Sequence, residues 1–196
     1  MKQLFLLILF LLPLITLSGQ EFDTITDARD GQQYRIVKIG DQWWMAENFN
    51  FNPKEGSYCY DGDLAICKEY GRLYTFDGAL KHSPTGWHLP SDEEWYELES
   101  YLGIPKDELD LYENRGQFAG TLLKAEGDAC FNALYGGYYN SFHNGFGHQG
   151  WEAHFWTSSK TGEGNPIIRV IDNNSGGISR VETTRHGGSS VRYIKD

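Results

Sequence analysis

The chain has 196 residues, and its 17 Lys and Arg against 27 Asp and Glu give a formal net charge of −10. This acidic balance, without a stripe of basic residues, argues against nucleic acid and anionic bilayers as partners, because both attract positive charge. The chain is 40% hydrophobic and 15% aromatic. That composition excludes an intrinsically disordered protein and indicates a folded domain.

The first 19 residues predict a secretory signal peptide. Lys2 provides a positive charge, residues 4–17 are almost wholly apolar, and Ser18 and Gly19 are the small residues that a signal peptidase prefers. The apolar run is short and interrupted by Pro13, so we expect no stable membrane insertion after cleavage. Residues 20–196 are then one exported domain. Its expected location is secreted, extracellular, or at the bacterial cell surface or in the periplasm.

The N-terminal part of that domain predicts β-structure. Residues 24–26 and 34–39 are β-prone and flank a turn at 27–31, which favours a hairpin, and residues 43–47 read as a third strand. A long irregular stretch follows, and a short helix or turn is expected around residues 78–81.

The clearest element begins at Ser91. Ser91 and Glu94 have the spacing of a capping box, and the apolar periodicity that follows ends at Gly103. A second, weaker helix is expected over residues 105–112. The C-terminal half contains short β-prone segments with Gly or Asn turns between them, at 155–158, 167–172, 178–183 and 189–194. Strands at both ends and helices in the middle predict an α+β domain whose terminal strands share a sheet.

The three cysteines read as structural residues. The turn-forming Asp61-Gly62-Asp63 lies between Cys59 and Cys67 and favours a disulfide between them. Cys130 is the odd one, and we expect it to be a buried, unreactive thiol.

Six blocks in order resemble one protein family. They run from Asp30-Gly31 to Asn48, through Tyr70–Tyr74, Gly86–Trp95, Phe131–Tyr138 and Phe155–Ser159, to Ser190–Tyr193. In these blocks the chain resembles the Fibrobacter succinogenes major paralogous domain over about residues 24–195.

The resemblance implies a C-type-lectin-like fold, similar also to the formylglycine-generating enzymes. Such a fold joins its terminal strands in a common sheet beside two helices and long irregular loops. The formylglycine-generating enzymes are copper oxidases that use two late cysteines, whereas residues 131–196 contain no Cys. Because that copper chemistry needs thiolate ligands, the resemblance implies no activity for this chain, and we expect no catalytic residue.

A calcium site is a weak hypothesis from the oxygen-bearing residues Glu163, Asn165, Asp172 and Asn174. Their order differs from that of calcium-dependent lectins, and ordinary turn chemistry explains them better. No other cofactor is predicted. His143, His148 and His154 lack the spacing of a helical metal site and read as exposed loop residues. His88 reads as a half-buried imidazole bonded to a backbone group. The acidic clusters at 92–94 and 107–110 read as helix starts.

Aromatic residues in a segment rich in Gly, Asn and His carry the remaining functional signal. Loops on a rigid scaffold often bind partners, and flat aromatic faces beside amide donors suit sugars or a protein surface. The candidate binding residues are Tyr135, Tyr138, Tyr139, Phe142, Phe146 and Trp151. The alternative is that these rings fold back and fill a small satellite core.

The sequence therefore predicts an exported, non-catalytic recognition or adhesion module with a glycan or a surface protein as partner. Two alternatives stay open. One is an oxidase or hydrolase derived from the formylglycine-generating scaffold, and the other is a purely structural surface component.

Overall fold

The computed structural model describes residues 19–196. The predicted signal peptide, apart from Gly19, lies outside these residues. In chain order the strands are β1 (Phe22–Thr26), β2 (Gln33–Ile39), β3 (Gln42–Met45), β4 (Ser57–Tyr58), β5 (Leu73–Tyr74), β6 (Trp87–His88), β7 (Glu113–Arg115), β8 (Tyr138–Asn140), β9 (Gly145–Gly147), β10 (Glu152–Lys160), β11 (Pro166–Asp172), β12 (Ile178–Glu182) and β13 (Ile194–Lys195). The helices are α1 (Leu64–Tyr70), α2 (Phe76–Lys81), α3 (Asp92–Tyr101) and α4 (Ala119–Leu123), with a 3₁₀ turn at Tyr60–Gly62.

The first and last strands lie in one antiparallel sheet with the order β1-β2-β3-β13-β6. In this sheet β3 pairs with both β2 and β13, and its Trp44 lies opposite Val37 of β2 and Ile194 of β13. The prediction that the terminal strands share a sheet is confirmed, as is the mixture of helices and sheets.

A second antiparallel sheet has the order β10-β11-β12-β7. Three of the four predicted C-terminal strands correspond to β10, β11 and β12, but of the segment predicted over 189–194 only Ile194 belongs to a strand, β13. Ser189 instead pairs with Tyr74 in an isolated bridge, and the Ser190 carbonyl accepts from the Trp156 amide. Because the Tyr193 carbonyl then accepts from Met45, this segment connects the two sheets through its backbone.

The capping box at the start of α3 is confirmed. Ser91 Oγ accepts from the Glu94 amide at 3.2 Å, and Glu94 carboxylate accepts from the Ser91 amide at 2.7 Å. The expected short helix around 78–81 is α2, whereas α1 and α4 were not predicted, so the fold has four α-helices in the described residues rather than two.

The helix predicted over residues 105–112 is wrong. This segment forms turns, and the Leu109 and Leu111 carbonyls accept hydrogen bonds from the Arg115 guanidinium. Carbonyls that turn toward a buried guanidinium do not accept the hydrogen bonds of a regular helix, so side-chain contacts override the local pattern here.

Aromatic rings fill the space between the sheets and helices. Trp44 packs on Trp95 with 5.0 Å between ring centroids, and Phe131 meets Phe155 edge to face at 5.5 Å. A second cluster centres on Phe49, whose ring lies 4.9 Å from that of Tyr193. Tilted and edge-on contacts at these separations add to the free energy of burial.

A layer of buried ion pairs lies between α3 and the second sheet. We call Asp92, Glu99, Arg115, Arg169 and Arg180 the ionic layer. Glu99 accepts from Arg169 Nε at 2.6 Å and from Arg115 Nη2 at 2.7 and 2.8 Å. Asp92 accepts from Arg180 at 2.6 and 2.9 Å and lies 2.6 Å from Arg169 Nη1. Glu99 and Arg169 are fully buried, so each depends on its partners for the interactions that water would otherwise provide.

Arg192 is a second buried cation, and it has no carboxylate partner among residues 19–196. Its guanidinium donates to Asn48 Oδ1 at 2.7 Å, to the carbonyl of Met45 at 3.0 Å and to that of Asn132 at 2.6 Å. It also lies over the Phe131 ring, 4.6 Å from the centroid. Burial lowers the pKa of Arg192. Four of the six resemblance blocks meet here. Three of them contain Arg192 or its partners, and the fourth contains Gly71, which lies against Asn48. We therefore interpret these four blocks as parts of the scaffold.

The disulfide between Cys59 and Cys67 is confirmed. Cys130 is a free thiol that is half-buried rather than fully buried, at the edge of the main core. Within residues 19–196, no helix has both the length and the apolar character needed to cross a membrane.

Candidate functional site

The segment that carries the predicted aromatic site folds into the hairpin β8–β9. Tyr139 pairs with Phe146, and four residues form the tip. At the tip, Asn140 Oδ1 accepts from the amides of Phe142 and His143 at 2.9 and 3.2 Å. Asn144, which has a positive φ of 48°, accepts at Oδ1 from the Tyr139 hydroxyl at 2.6 Å. These bonds between local side chains and backbone give the tip one defined conformation.

Phe142 is the residue that this tip presents to solvent. Its side chain is 81% exposed, the highest value among the exposed large hydrophobic residues of the described chain. It lines a groove of about 460 Å³ whose other wall comes from the start of β11 and the segment after β12. We call this the hairpin-tip groove, and its polar lining residues are Asn165, Glu182, Thr183, Thr184, Arg185 and His186.

The two charged side chains that line the hairpin-tip groove, Glu182 and Arg185, each have a polar partner at the surface. Arg185 Nη2 donates to both carboxylate oxygens of Asp77 at 2.6 and 2.7 Å, and Asn165 donates to Glu182. The Arg185 and Asp77 side chains are 52% and 62% exposed. An ion pair this exposed stabilises the fold little, because water screens it. The groove therefore offers an amide, a carboxylate and a guanidinium that can form bonds with a ligand at small cost to the fold.

Two of the predicted aromatics pack into a satellite cluster instead of facing solvent. Tyr139 stacks on Tyr58 with centroids 4.4 Å apart, and Phe146 lies 5.0 Å from Tyr60. Both partners flank Cys59 in the disulfide-bearing segment. The alternative expected from sequence, in which the rings form a small core, therefore describes Tyr139 and Phe146. Through this cluster the hairpin packs on the disulfide-bearing segment.

Tyr138 and two histidines fix the base of the same hairpin. Glu152 accepts from His148 at 2.8 Å and from His154 at 2.6 Å, and the Tyr138 ring lies 5.3 and 4.8 Å from the two imidazoles. The hydrogen bond from His154 is the largest cause that lowers the pKa of Glu152 to about 2. The expectation of exposed loop histidines is wrong for His154, which lies on β10 with a side chain only 13% exposed.

Trp151 lies away from Phe142, so the six aromatics do not form one face. The Trp151 carbonyl accepts from the Asn173 amide at 2.9 Å, beyond the end of β11, whereas Phe142 shares its groove with Asn165 and Pro166 at the start of β11. A seven-residue strand spans about 20 Å. Tyr135, the remaining candidate, is half-buried and packs against the main core.

The same strand separates the four calcium candidates. Glu163 and Asn165 precede β11, while Asp172 ends it and Asn174 follows it. Asp172 Oδ1 accepts from the Asn174 amide at 2.6 Å, which is an ordinary turn bond. The structure therefore does not bring all four residues to one point, as a shared ion would require, because an ion binds oxygens within about 2.6 Å. In residues 19–196 no three His, Cys, Asp or Glu side chains converge as metal ligands.

His88 has carboxylate partners where a backbone partner was expected. Its Nδ1 lies 2.6 Å from Asp196 Oδ1 and its Nε2 lies 2.7 Å from Glu94 Oε1. Burial lowers the pKa of His88, but the hydrogen bonds to Asp196 and Glu94 outweigh burial and the net effect raises it. Since Glu94 also caps α3, His88 connects that cap to β13.

Sequence reasoning missed Glu182 and Arg185 as site residues. Both belong to a polar segment that connects β12 to the last strand, and nothing local distinguishes it from other exposed loops. Arg185 is distinguished by its ion pair with Asp77, but Asp77 is 108 residues away in the chain, so the pair is seen only in the folded protein.

Comparison with known families agrees with the arrangement of the blocks. Residues 37–195 match the model described as the Fibrobacter succinogenes major domain, which spans β2 to β13. No curated protein and no solved structure matches the chain. The family match covers well over half of the chain, so this protein belongs to the Fibrobacter succinogenes major domain family.

Proposed function

We propose that this protein is an exported, non-catalytic recognition module that binds glycans through the hairpin-tip groove. The observation that carries the proposal is Phe142, a large apolar ring that is 81% exposed on a tip held by side-chain hydrogen bonds. Keeping such a ring in water gives up the free energy of burying it, about 1.5–3 kcal/mol. A ligand that covers the ring would recover part of this.

The chemistry around Phe142 favours a sugar over an apolar ligand. The face of an aromatic ring packs well on the apolar C–H face of a sugar, while nearby polar groups bond to its hydroxyls. In the groove those polar groups are the Asn165 amide, the Glu182 carboxylate and the Arg185 guanidinium. Because the cation is balanced by Asp77, the groove suits a neutral sugar better than an anionic one.

Export and a C-type-lectin-like scaffold belong to the same proposal. The N-terminal apolar segment and the Cys59–Cys67 disulfide support an oxidising compartment outside the cytoplasm. The shared sheet of the two terminal strands and the long loops beside it support the lectin-like comparison. The proposal assigns no reaction to the groove and gives its residues the role of binding.

A glycan array of the labelled protein tests this proposal, with and without a calcium chelator. We expect specific binding that the chelator leaves unchanged, because the calcium candidates are separated by β11. The Phe142→Ala variant should lose at least ten-fold in affinity. Phe22→Ala is the matched control, since Phe22 is also an exposed Phe (58%) but lies on β1.

Two results would overturn the proposal. One is equal glycan binding by Phe142→Ala and the wild type, and the other is silence of the array in both conditions, which would favour a protein partner or a structural role. Loss of binding under chelator would keep a glycan function but contradict the calcium-independent site described above.

A further inference from the structure

A second groove lies near the other end of β11, beside Trp151. It has a volume of about 530 Å³, and its lining includes Leu122, Lys124, Asp128 and Tyr135. The Trp151 indole is 58% exposed. We call Trp151 and this groove together the Trp151 subsite.

Backbone hydrogen bonds attach Trp151 to this groove. The Trp151 amide donates to the His148 carbonyl at 3.0 Å, and the Asn173 amide donates to the Trp151 carbonyl at 2.9 Å. One residue earlier, the Gly150 amide donates to the Tyr135 carbonyl at 2.8 Å. The backbone that carries the exposed indole is thus fixed, and the neighbouring Gly150 joins it to Tyr135, which lines the groove.

Polar groups lie near Trp151 and in the groove. Lys124 Nζ, in the lining of the groove, donates to the carbonyls of Asn173 and Ser175 at 3.1 and 2.7 Å. Asp128 adds a carboxylate to the same lining. Burial raises the pKa of Tyr135, and the negative charge of Asp172 raises it further. Aromatic faces with carboxylate, ammonium and hydroxyl groups at the rim repeat the chemistry of the hairpin-tip groove.

The two sites are joined by elements that keep their separation constant. β11 runs between them over about 20 Å. The hairpin that ends in Phe142 is fixed at its base where Glu152 binds both His148 and His154 around Tyr138. A ligand with repeating units can therefore meet two sites at a defined spacing.

We propose that Trp151 and its groove form a second sugar-binding subsite, so that the protein holds a polysaccharide at two points. This inference rests on the proposed glycan function for the nature of the ligand, but it concerns different residues. Two linked sites raise the apparent affinity for a polymer by about 10²–10⁴-fold over that of a single site, through effective concentration alone.

The test compares short and long probes of the same chemistry. Calorimetry uses malto-, manno- and cellotriose, which are too short to reach both sites at once, and affinity electrophoresis uses the corresponding soluble polymers. For a trisaccharide that binds, we expect two molecules per wild-type protein and one per Trp151→Ala variant. For the polymer, we expect the apparent affinity of Trp151→Ala to fall at least 100-fold. Trp151→Phe should restore most of it, and Tyr101→Ala, which removes a 64% exposed ring from α3, should have no effect.

The outcomes separate this inference from the proposed function. A wild-type stoichiometry of one that Trp151→Ala leaves unchanged would overturn the second subsite while preserving the hairpin-tip groove. Binding that is lost in Trp151→Ala but kept in Phe142→Ala would support the Trp151 subsite and overturn the assignment of the hairpin-tip groove. No binding of any trisaccharide or polymer would overturn both.

Discussion

Two arginine–carboxylate pairs of this molecule, one in the core and one at the surface, have opposite consequences. In the ionic layer, Arg169 and Glu99 are fully buried and lie 2.6 Å apart. At the hairpin-tip groove, the lining residue Arg185 lies 2.6 Å from Asp77, but each side chain is more than half exposed. The distance is the same and the surroundings differ. Burial makes the first pair a requirement of the fold, while exposure leaves the second available to a ligand.

Breaking each pair in the same way should produce the largest difference between the two regions. Glu99→Gln removes the charge that Arg169 and Arg115 share in the core, so we expect the free energy of unfolding to fall by about 3–5 kcal/mol. Asp77→Asn is the matched variant and should change stability by less than about 1 kcal/mol. Urea unfolding followed by fluorescence measures both. Equal losses in the two variants would contradict the comparison.

Removing the disulfide should have an intermediate effect. The double variant Cys59→Ser, Cys67→Ser loses the constraint on a short loop, which is worth about 2.5 kcal/mol in the chain-entropy model. Since Tyr58 and Tyr60 flank Cys59 and support Tyr139 and Phe146, we also expect the hairpin β8–β9 to exchange its amide hydrogens faster. Intact mass before and after reduction should show one bridge. Unchanged amide exchange in the hairpin would show that the disulfide does not stabilise the hairpin, and would contradict this prediction.

A smaller, pH-dependent effect is expected at His88, whose imidazole is 42% exposed. Its pKa is raised in the folded protein. The stability it contributes is therefore fully present below the unfolded value, about 6.5, and is lost as the pH rises through the folded value. We expect the free energy of unfolding to decrease from pH 6 to pH 8 in the wild type relative to His88→Gln. Parallel pH profiles would contradict this. Glu152 does not interfere, because its lowered pKa of about 2 gives a contribution that is constant above the unfolded value, about 4.3, and is lost only as the pH falls into the acidic range.

Local features of the fold were predictable from sequence. The capping box of α3 needs only Ser91 and Glu94, and the Cys59–Cys67 bridge needs only a turn between two nearby cysteines. Strands at both chain ends also predicted the shared sheet. For the capping box and the disulfide, the residues that determine the structure are near one another in the chain, and each terminal strand follows from its own local pattern.

Features that depend on distant contacts were not predictable in the same way. Arg180 and Asp92 are 88 residues apart, and nothing in the local sequence marks either as buried. The failed helix at 105–112 has a related cause: Glu99, 16 residues away, holds Arg115 in the core, and Arg115 then takes the carbonyls of Leu109 and Leu111. For the site, the aromatic segment was recognised, but its division into Phe142 at one end and Trp151 at the other depends on how the hairpin lies along β11.

The central claim is that the hairpin-tip groove binds sugar and contributes little to the fold. The most direct test measures the Phe142→Ala variant twice, once by thermal unfolding and once by titration with the glycan that the array binds most strongly. We predict an unchanged melting temperature, as in Phe22→Ala, together with a loss of affinity of at least ten-fold. A lowered melting temperature with unchanged affinity would contradict the claim and make Phe142 a packing residue.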